Sequence, residues 1–213
     1  MDFAEELNLI LPSDLPNREA LVTKAALHIA LIVEINQHLN LTRITSPREA
    51  AIKHVLDSVI PWRLFANGKH ILDAGTGAGF PGIPLAIMLP DVRFTLAESI
   101  QKKARFVESA LAKLDLPNVA ISPTRAEDLA KTGAIDIITA RALAPIPKAL
   151  DLFAPAIKRG VTALLYKGPD AEKEIASAEK DLKKSHAAAR VVMRYELPDS
   201  LGVRTVVELR RLT

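Results

Sequence analysis

Apolar residues in the first third of the chain recur every three or four positions. Leu21, Ala25, His28, Ile32, Ile35 and Leu39 fall on one helical face, opposite Lys24, Glu34 and His38, which predicts a long amphipathic helix with Asn17 as its N-cap. A second start follows at Ser46-Pro47-Arg48-Glu49. An N-cap serine, proline at the first helical position and glutamate at the third can satisfy two orphan amides reciprocally, which predicts a shorter helix to about Leu56. Residues 1–66 therefore read as a helical extension.

Beyond the turn signal Asn67-Gly68 the pattern changes. Short apolar runs at 70–74, 93–97, 119–122, 135–139 and 161–166 alternate with helical stretches at 82–88, 102–114, 147–158 and 171–183. Strand, helix, strand repeated in this way implies right-handed crossovers and a parallel sheet covered on both faces. The last two apolar runs, 191–197 and 203–209, are separated only by Pro198-Asp199-Ser200-Leu201-Gly202, so the sheet is expected to end in an antiparallel hairpin. The expected fold is α/β: a mostly parallel sheet over residues 67–213, closed by that hairpin and carrying the N-terminal helical extension.

Composition narrows the chemistry. With no cysteine among 213 residues, disulfides, thiolate zinc sites and a thiol nucleophile are excluded. The five histidines show no metal-ligand spacing, and neither a P-loop nor a G-x-S-x-G elbow is present, so no metal is expected. The start, Met1-Asp2-Phe3-Ala4-Glu5-Glu6, is acidic where an export signal needs positive charge, and His28 and Glu34 interrupt the longest apolar stretch. A cytoplasmic protein that spans no membrane is expected. Lys and Arg exceed Asp and Glu by 28 to 25, a mild excess that permits nucleic acid as a partner without demanding it.

The strongest local signal is Ile71-Leu72-Asp73-Ala74-Gly75-Thr76-Gly77-Ala78-Gly79-Phe80-Pro81-Gly82, a strand running through glycine-rich backbone into a helix. Glycines at alternate positions let the main chain turn sharply and lie against a flat, nucleotide-like ligand. Two ligand classes compete for it. Gly77 to Gly82 literally matches G-x-G-x-x-G, the dinucleotide fingerprint, and supports an NAD(P)-dependent oxidoreductase. Asp73 at the strand end favours S-adenosylmethionine instead, because a carboxylate repels a pyrophosphate and attracts a cationic ammonium and sulfonium. Glu98, at the end of the next strand, can accept from both ribose hydroxyls of a nucleoside cofactor. Arg125-Ala126-Glu127-Asp128 follows the third strand and can face an adenine. Arg141 ends an apolar segment after the fourth strand, and Lys167 follows the fifth; with Lys102, Lys103, Arg105 and Arg125 they bring positive charge to one rim.

The acceptor is narrowed by what is missing. Methylation of cytosine C5 needs a cysteine, and methylation of an exocyclic amine usually relies on an Asn/Asp-Pro-Pro-aromatic run where this chain has Thr139-Ala140-Arg141-Ala142. Guanine N7 has an available lone pair and loses no proton, so positioning alone suffices. A non-catalytic RNA-binding or ribosome-assembly factor on the same scaffold is the remaining alternative.

These residues resemble the ribosomal RNA small-subunit methyltransferase G family, formerly glucose-inhibited division protein B. The likeness runs from about Asn40 to Lys167. It rests on Asn40-Leu41-Thr42, His54-Val55-Leu56-Asp57-Ser58, the loop from Asp73 to Pro84, Glu98-Ser99, Arg125-Ala126-Glu127, Arg141-Ala142 and Lys167-Gly168; Pro81 and Pro84 make the loop far more specific than its glycines alone. The resemblance implies a class I S-adenosylmethionine-dependent methyltransferase with a Rossmann-like sheet, acting on guanine N7 at position 527 of the reference 16S rRNA. It implies the small ribosomal subunit as partner, and a monomeric enzyme is expected. Together with the loop reading it places cofactor contacts on Asp73, Gly75, Gly77, Gly79, Phe80, Glu98, Ser99, Ala126, Glu127 and Arg141. Arg141 and Lys167 would position the reactants without a general base, and His54, Lys102, Arg125 and Lys167 would face RNA. Two departures stand out: Ala78 replaces a common proline, which loosens the loop, and Leu39 replaces a common tyrosine, which removes a stacking ring.

Overall fold

The computed structural model describes residues 2–212, apart from the side chains of His38 and Thr132; the expected exposure of His38 lies outside the described residues. The chain opens with α1 (Phe3–Ile10), capped by a reciprocal box in which Asp2 Oδ1 accepts from the Glu5 amide at 2.8 Å and Glu5 Oε2 from the Asp2 amide at 2.9 Å. The long helix is α2 (Arg18–Leu39). Asn17 precedes it in the left-handed conformation but does not cap it: its side-chain amide donates instead to the Met88 carbonyl at 3.0 Å, tying the helix start to the main domain.

The second predicted start is also in place without its predicted hydrogen bonds. Ser46 makes no side-chain cap, and Glu49 pairs with Lys53 at 2.6 Å, one turn on. The helix runs as α3 (Pro47–Ala50), a π-helical turn (Ala51–Leu56) and α4 (Asp57–Val59), three residues past the expected end. Such a turn widens the helix locally and is frequent at functional sites.

The remainder alternates as expected: β1 (His70–Ala74), α5 (Gly82–Met88), β2 (Arg93–Ala97), α6 (Gln101–Leu114), β3 (Val119–Ser122), α7 (Ala126–Thr132), β4 (Ile137–Arg141), α8 (Ile146–Lys158), β5 (Thr162–Lys167), α9 (Ala171–Ser177), α10 (Glu179–Ser185), β6 (Ala187–Glu196) and β7 (Val203–Arg211). The sheet order is β3-β2-β1-β4-β5-β7-β6, parallel through β5, with β7 antiparallel to both β5 and β6. Several boundaries shift by one to four residues, β7 running to Arg211 rather than 209, and three departures stand out. β4 lies two residues later, so Arg141 is its last residue, paired with Tyr166 of β5. The helix expected over 171–183 is broken at Ala178. β6 begins at Ala187 rather than 191, because pairing with β7 overrides the helical preference of three successive alanines.

The sheet buries two apolar layers. One face collects Leu72, Ile138, Leu150 and Phe153; on the other, Leu21, Ile29 and Ile32 of α2 and Val55 and Val59 of the kinked helix share one cluster with Ile83, Phe94 and Phe106. The helical extension is therefore part of the main core. Strand order reverses between β1 and β4, and at such a switch point the loops at the carboxyl ends diverge and leave a crevice.

Candidate functional site

The crevice is floored by the loop after β1. Gly75, Gly77 and Gly79 have φ of +69°, +62° and +105°, conformations in which a side chain would be strained. Asp73, wholly buried at the strand end, sets the return into α5: its Oδ2 accepts from the Thr76 hydroxyl at 2.6 Å and from the Gly82 amide at 2.9 Å. A Cβ on Gly82 would stand 2.6 Å from that oxygen, which is why the helix opens on glycine. Oδ1 of Asp73 is buried without a hydrogen-bond partner, and burial raises the carboxyl pKa to about 6 against the opposing pull of Thr76 and Gly82. A buried carboxylate one oxygen short of satisfied is a fixed electrostatic attractor for a cation placed above the loop.

Glu98 couples this loop to the next strand. Its Oε2 accepts from the Gly77 amide at 3.1 Å and its Oε1 from the Ile100 amide at 2.8 Å, while the Thr76 amide bonds the Ala97 carbonyl at 3.0 Å. The carboxylate borders a hollow of about 270 Å³ at the tips of β1, β2 and β3, lined also by Gly75, Ser99, Arg125, Ala126 and Glu127. Six of the expected residues thus meet in one place. Asp73, Gly77, Gly79 and Phe80 do not line it; they shape the loop from behind.

A second, larger cavity of about 610 Å³ lies beside it, and Leu143 and Ala144 form the wall between the two. Lys53, His54, Arg141, Lys167 and Arg204 line it. Each has a partner. The Arg141 guanidinium donates to the Lys53 carbonyl at 2.8 Å and pairs with Asp57 at 3.3 Å. Asp57, with only 3% of its side chain exposed, also takes the Tyr195 hydroxyl at 2.8 Å and faces Arg204 at 3.6 Å. Lys167 bonds the Ala144 carbonyl at 2.8 Å and Glu174 at 2.6 Å, so it anchors the dividing wall.

His54 is buried at the edge of the larger cavity. Its Nε2 lies 3.1 Å from the Thr42 hydroxyl, and Thr42 is in turn pinned by both ends of the Asn36 amide at 2.8 and 2.9 Å. The ring stacks on Phe80 with centroids 4.7 Å apart, and the Arg141 guanidinium carbon lies 5.4 Å from the Phe80 centroid. Burial, helped by the charge of Arg141, lowers the imidazole pKa to about 3, so the ring is neutral. Lys102 joins neither cavity and has no part in the loop: it lies in the seam between α2 and α6, beside Leu31 and Glu34. Arg125 is mostly exposed and pairs with Glu127 at 3.6 Å.

Sequence reasoning missed Asp57, Tyr195 and Arg204 as one cluster, because 138 residues separate Asp57 from Tyr195 and no local pattern joins them. It also left His28 among the core residues, although an imidazole on an apolar helical face was itself the signal. Among the described residues, no group of three or more His, Cys, Asp or Glu is placed to hold a metal ion, and no helix is long and apolar enough to cross a membrane.

Residues 22–200 match the family described as rRNA small subunit methyltransferase G. A relative from Solibacter usitatus, named ribosomal RNA small subunit methyltransferase G, is 64% identical over 99% of this chain and 100% of its own length. One of the same name from Carboxydothermus hydrogenoformans is 36% identical over 85% of this chain and 80% of its own. Among solved structures, the O-methyltransferase from Bacillus cereus in complex with SAH superposes with a TM-score of 0.59 at 16% identity, covering 95% of this chain and 93% of that one. At that identity the likeness establishes the fold, a class I methyltransferase sheet.

Proposed function

The chain belongs to the rRNA small subunit methyltransferase G family, and on that premise we propose that the smaller hollow holds S-adenosylmethionine and the larger cavity a guanine of 16S rRNA, methylated at N7. The protein is an S-adenosylmethionine-dependent rRNA methyltransferase, and a dinucleotide is no longer a competing ligand for its glycine loop. One observation carries the finer reading: a nucleoside-sized hollow at the strand tips adjoins a larger, cation-lined cavity across the single wall of Leu143 and Ala144. Two ligands can meet there.

The residues present fit the cofactor. Main chain without a side chain at Gly75, the Glu98 and Glu127 carboxylates and the orphaned oxygen of Asp73 suit a neutral nucleoside joined to a cationic centre. S-adenosylmethionine, when bound, supplies an electrophilic methyl group. The Glu98 carboxylate would hold the sugar hydroxyls, with Ser99, Ala126 and Glu127 around the adenine; Asp73, Gly77, Gly79 and Phe80 would act by shaping the loop. Guanine N7 offers a lone pair that is already free and loses no proton on methylation, so this chain would need to supply no general base. Arg141 and Lys167 would therefore position the base and need not titrate. His54 and the cations Lys102, Arg125 and Lys167 would meet the RNA, whose binding should depend on phosphate contacts given only Trp62, Tyr166, Tyr195 and six phenylalanines.

Residues 1–66 would serve as a helical extension of a methyltransferase domain spanning 67–213, in a monomer acting in the cytoplasm on the small ribosomal subunit. Incubation with labelled S-adenosylmethionine and purified small subunits or free 16S rRNA tests this. Label in 7-methylguanosine, identified by nucleoside mass spectrometry, is expected; label in another nucleoside would overturn the N7 assignment, and RNA binding without any transfer would favour an assembly factor.

A further inference from the structure

One contact between the helical extension and the glycine loop is made by a side chain that the methyl-transfer chemistry does not use. His28 projects from the middle of α2 and is fully buried. Its Nε2 lies 2.8 Å from the carbonyl oxygen of Ala78, at the turn of the loop. A carbonyl can only accept, so Nε2 carries the proton, and Nδ1, buried without a partner, is a bare lone pair. The ring packs against Phe80 with centroids 4.9 Å apart, and a Cβ on Gly79 would stand 3.0 Å from its Cε1. Three successive residues, Ala78, Gly79 and Phe80, thus rest on one imidazole carried by a helix of 22 residues. His28 lines neither cavity.

The location matters because the loop is entropically expensive to order. Three of its five residues from Gly75 to Gly79 are glycines in left-handed conformations, and each loses more freedom on ordering than any other residue type would. The Gly77 amide, one residue before the clamped carbonyl, is one of the two amides that hold Glu98, the other being that of Ile100.

We propose that His28 is a positioning residue for the cofactor: its Nε2–H clamps the main chain at Ala78 and thereby sets the Gly75–Gly77 backbone and the Glu98 carboxylate in the geometry that binds S-adenosylmethionine. This rests on the reading that the smaller hollow holds that cofactor. It makes the helical extension a working part of the cofactor site. Burial lowers the imidazole pKa to about 4, which keeps the ring neutral and supports the assignment of its single proton.

Calorimetry with S-adenosylhomocysteine and steady-state kinetics on the full chain test the clamp. His28→Leu, similar in volume and without the donor, should raise the Kd for S-adenosylhomocysteine and the KM for S-adenosylmethionine roughly five- to tenfold, with kcat and the KM for RNA within about twofold of the parent. His28→Gln, whose amide nitrogen reaches the place of Nε2, should restore both to within about twofold. Unchanged binding by His28→Leu, a His28→Gln variant as weak as His28→Leu, or equal losses in RNA affinity and kcat would overturn the clamp. Should His28→Leu fail to fold, imidazole nitrogen NMR of the parent protein decides. A neutral ring protonated at Nε2 whose signals move on adding S-adenosylhomocysteine is expected, and a ring protonated at Nδ1, or one that ignores the ligand, refutes it. A parent protein that binds no S-adenosylhomocysteine would instead remove the cofactor reading itself.

Discussion

Replacing His28 by glutamine should flatten the acid sensitivity of the fold. In the folded protein burial lowers the His28 pKa from 6.5 to about 4. Between those values the unfolded chain binds a proton at this residue and the folded one does not, so stability falls as pH drops through the interval. At about 1.4 kcal/mol for each tenfold change in proton affinity, lowering the pH from 7 to 5 removes about 2 kcal/mol through His28. His54, lowered to about 3 by burial and the Arg141 charge, removes a similar amount, about 2 kcal/mol, over the same range. Asp73 acts oppositely: raised by burial to about 6, it takes up its proton in the folded state first and returns about 1 kcal/mol. Glutamine cannot titrate, and the other groups cancel when variant and parent are compared, apart from the minor part of the His54 shift that comes from His28 itself. Urea unfolding at the two pH values should therefore show the parent losing about 2 kcal/mol more than His28→Gln. Parallel losses would mean that His28 takes up its proton as readily in the folded protein as in the unfolded chain, and a smaller loss in the parent that it is already charged near neutrality; either would refute the buried neutral donor.

Gly79→Ala places a side chain at φ +105° with its Cβ 2.5 Å from Ile83 Cδ1, and should lower the unfolding free energy by about 2 to 4 kcal/mol and abolish S-adenosylhomocysteine binding, read by denaturation and calorimetry. Glu98→Gln leaves one acceptor oxygen for two amides, those of Gly77 and Ile100; calorimetry should show about tenfold weaker cofactor binding, and an unchanged Kd would contradict the ribose role. Arg141→Gln strips Asp57 of its closest cation while Arg204 remains, so stability should fall by about 2 kcal/mol and methyl transfer at least about tenfold, with intact activity refuting the positioning role. Arg125→Ala and Lys102→Ala should each reduce the slope of log affinity for RNA against log salt by about 1; a slope unmoved by Lys102→Ala would confine the RNA path to the cavities.

Sequence alone determined what is local or periodic. The alternation of apolar runs and helical stretches announced the parallel sheet, because β-strands and helices impose their own spacing on the residues they bury. The glycine loop, Asp73 and Glu98 were legible because φ above zero and strand-end carboxylates leave marks within a few positions. Boundaries set by partners were not: β6 extends through three alanines because β7 pairs with them, and Asn17 and Ser46 occupy cap positions without capping, the former because its amide finds Met88, 71 residues away. Tertiary structure alone decided the roles of Asp57, Tyr195 and Arg204, the separation of Lys102 from both cavities, and the seating of His28 under Ala78. Each depends on where distant segments cross, and the energy of a buried hydrogen bond or ion pair is fixed by that crossing, not by the residue that supplies it.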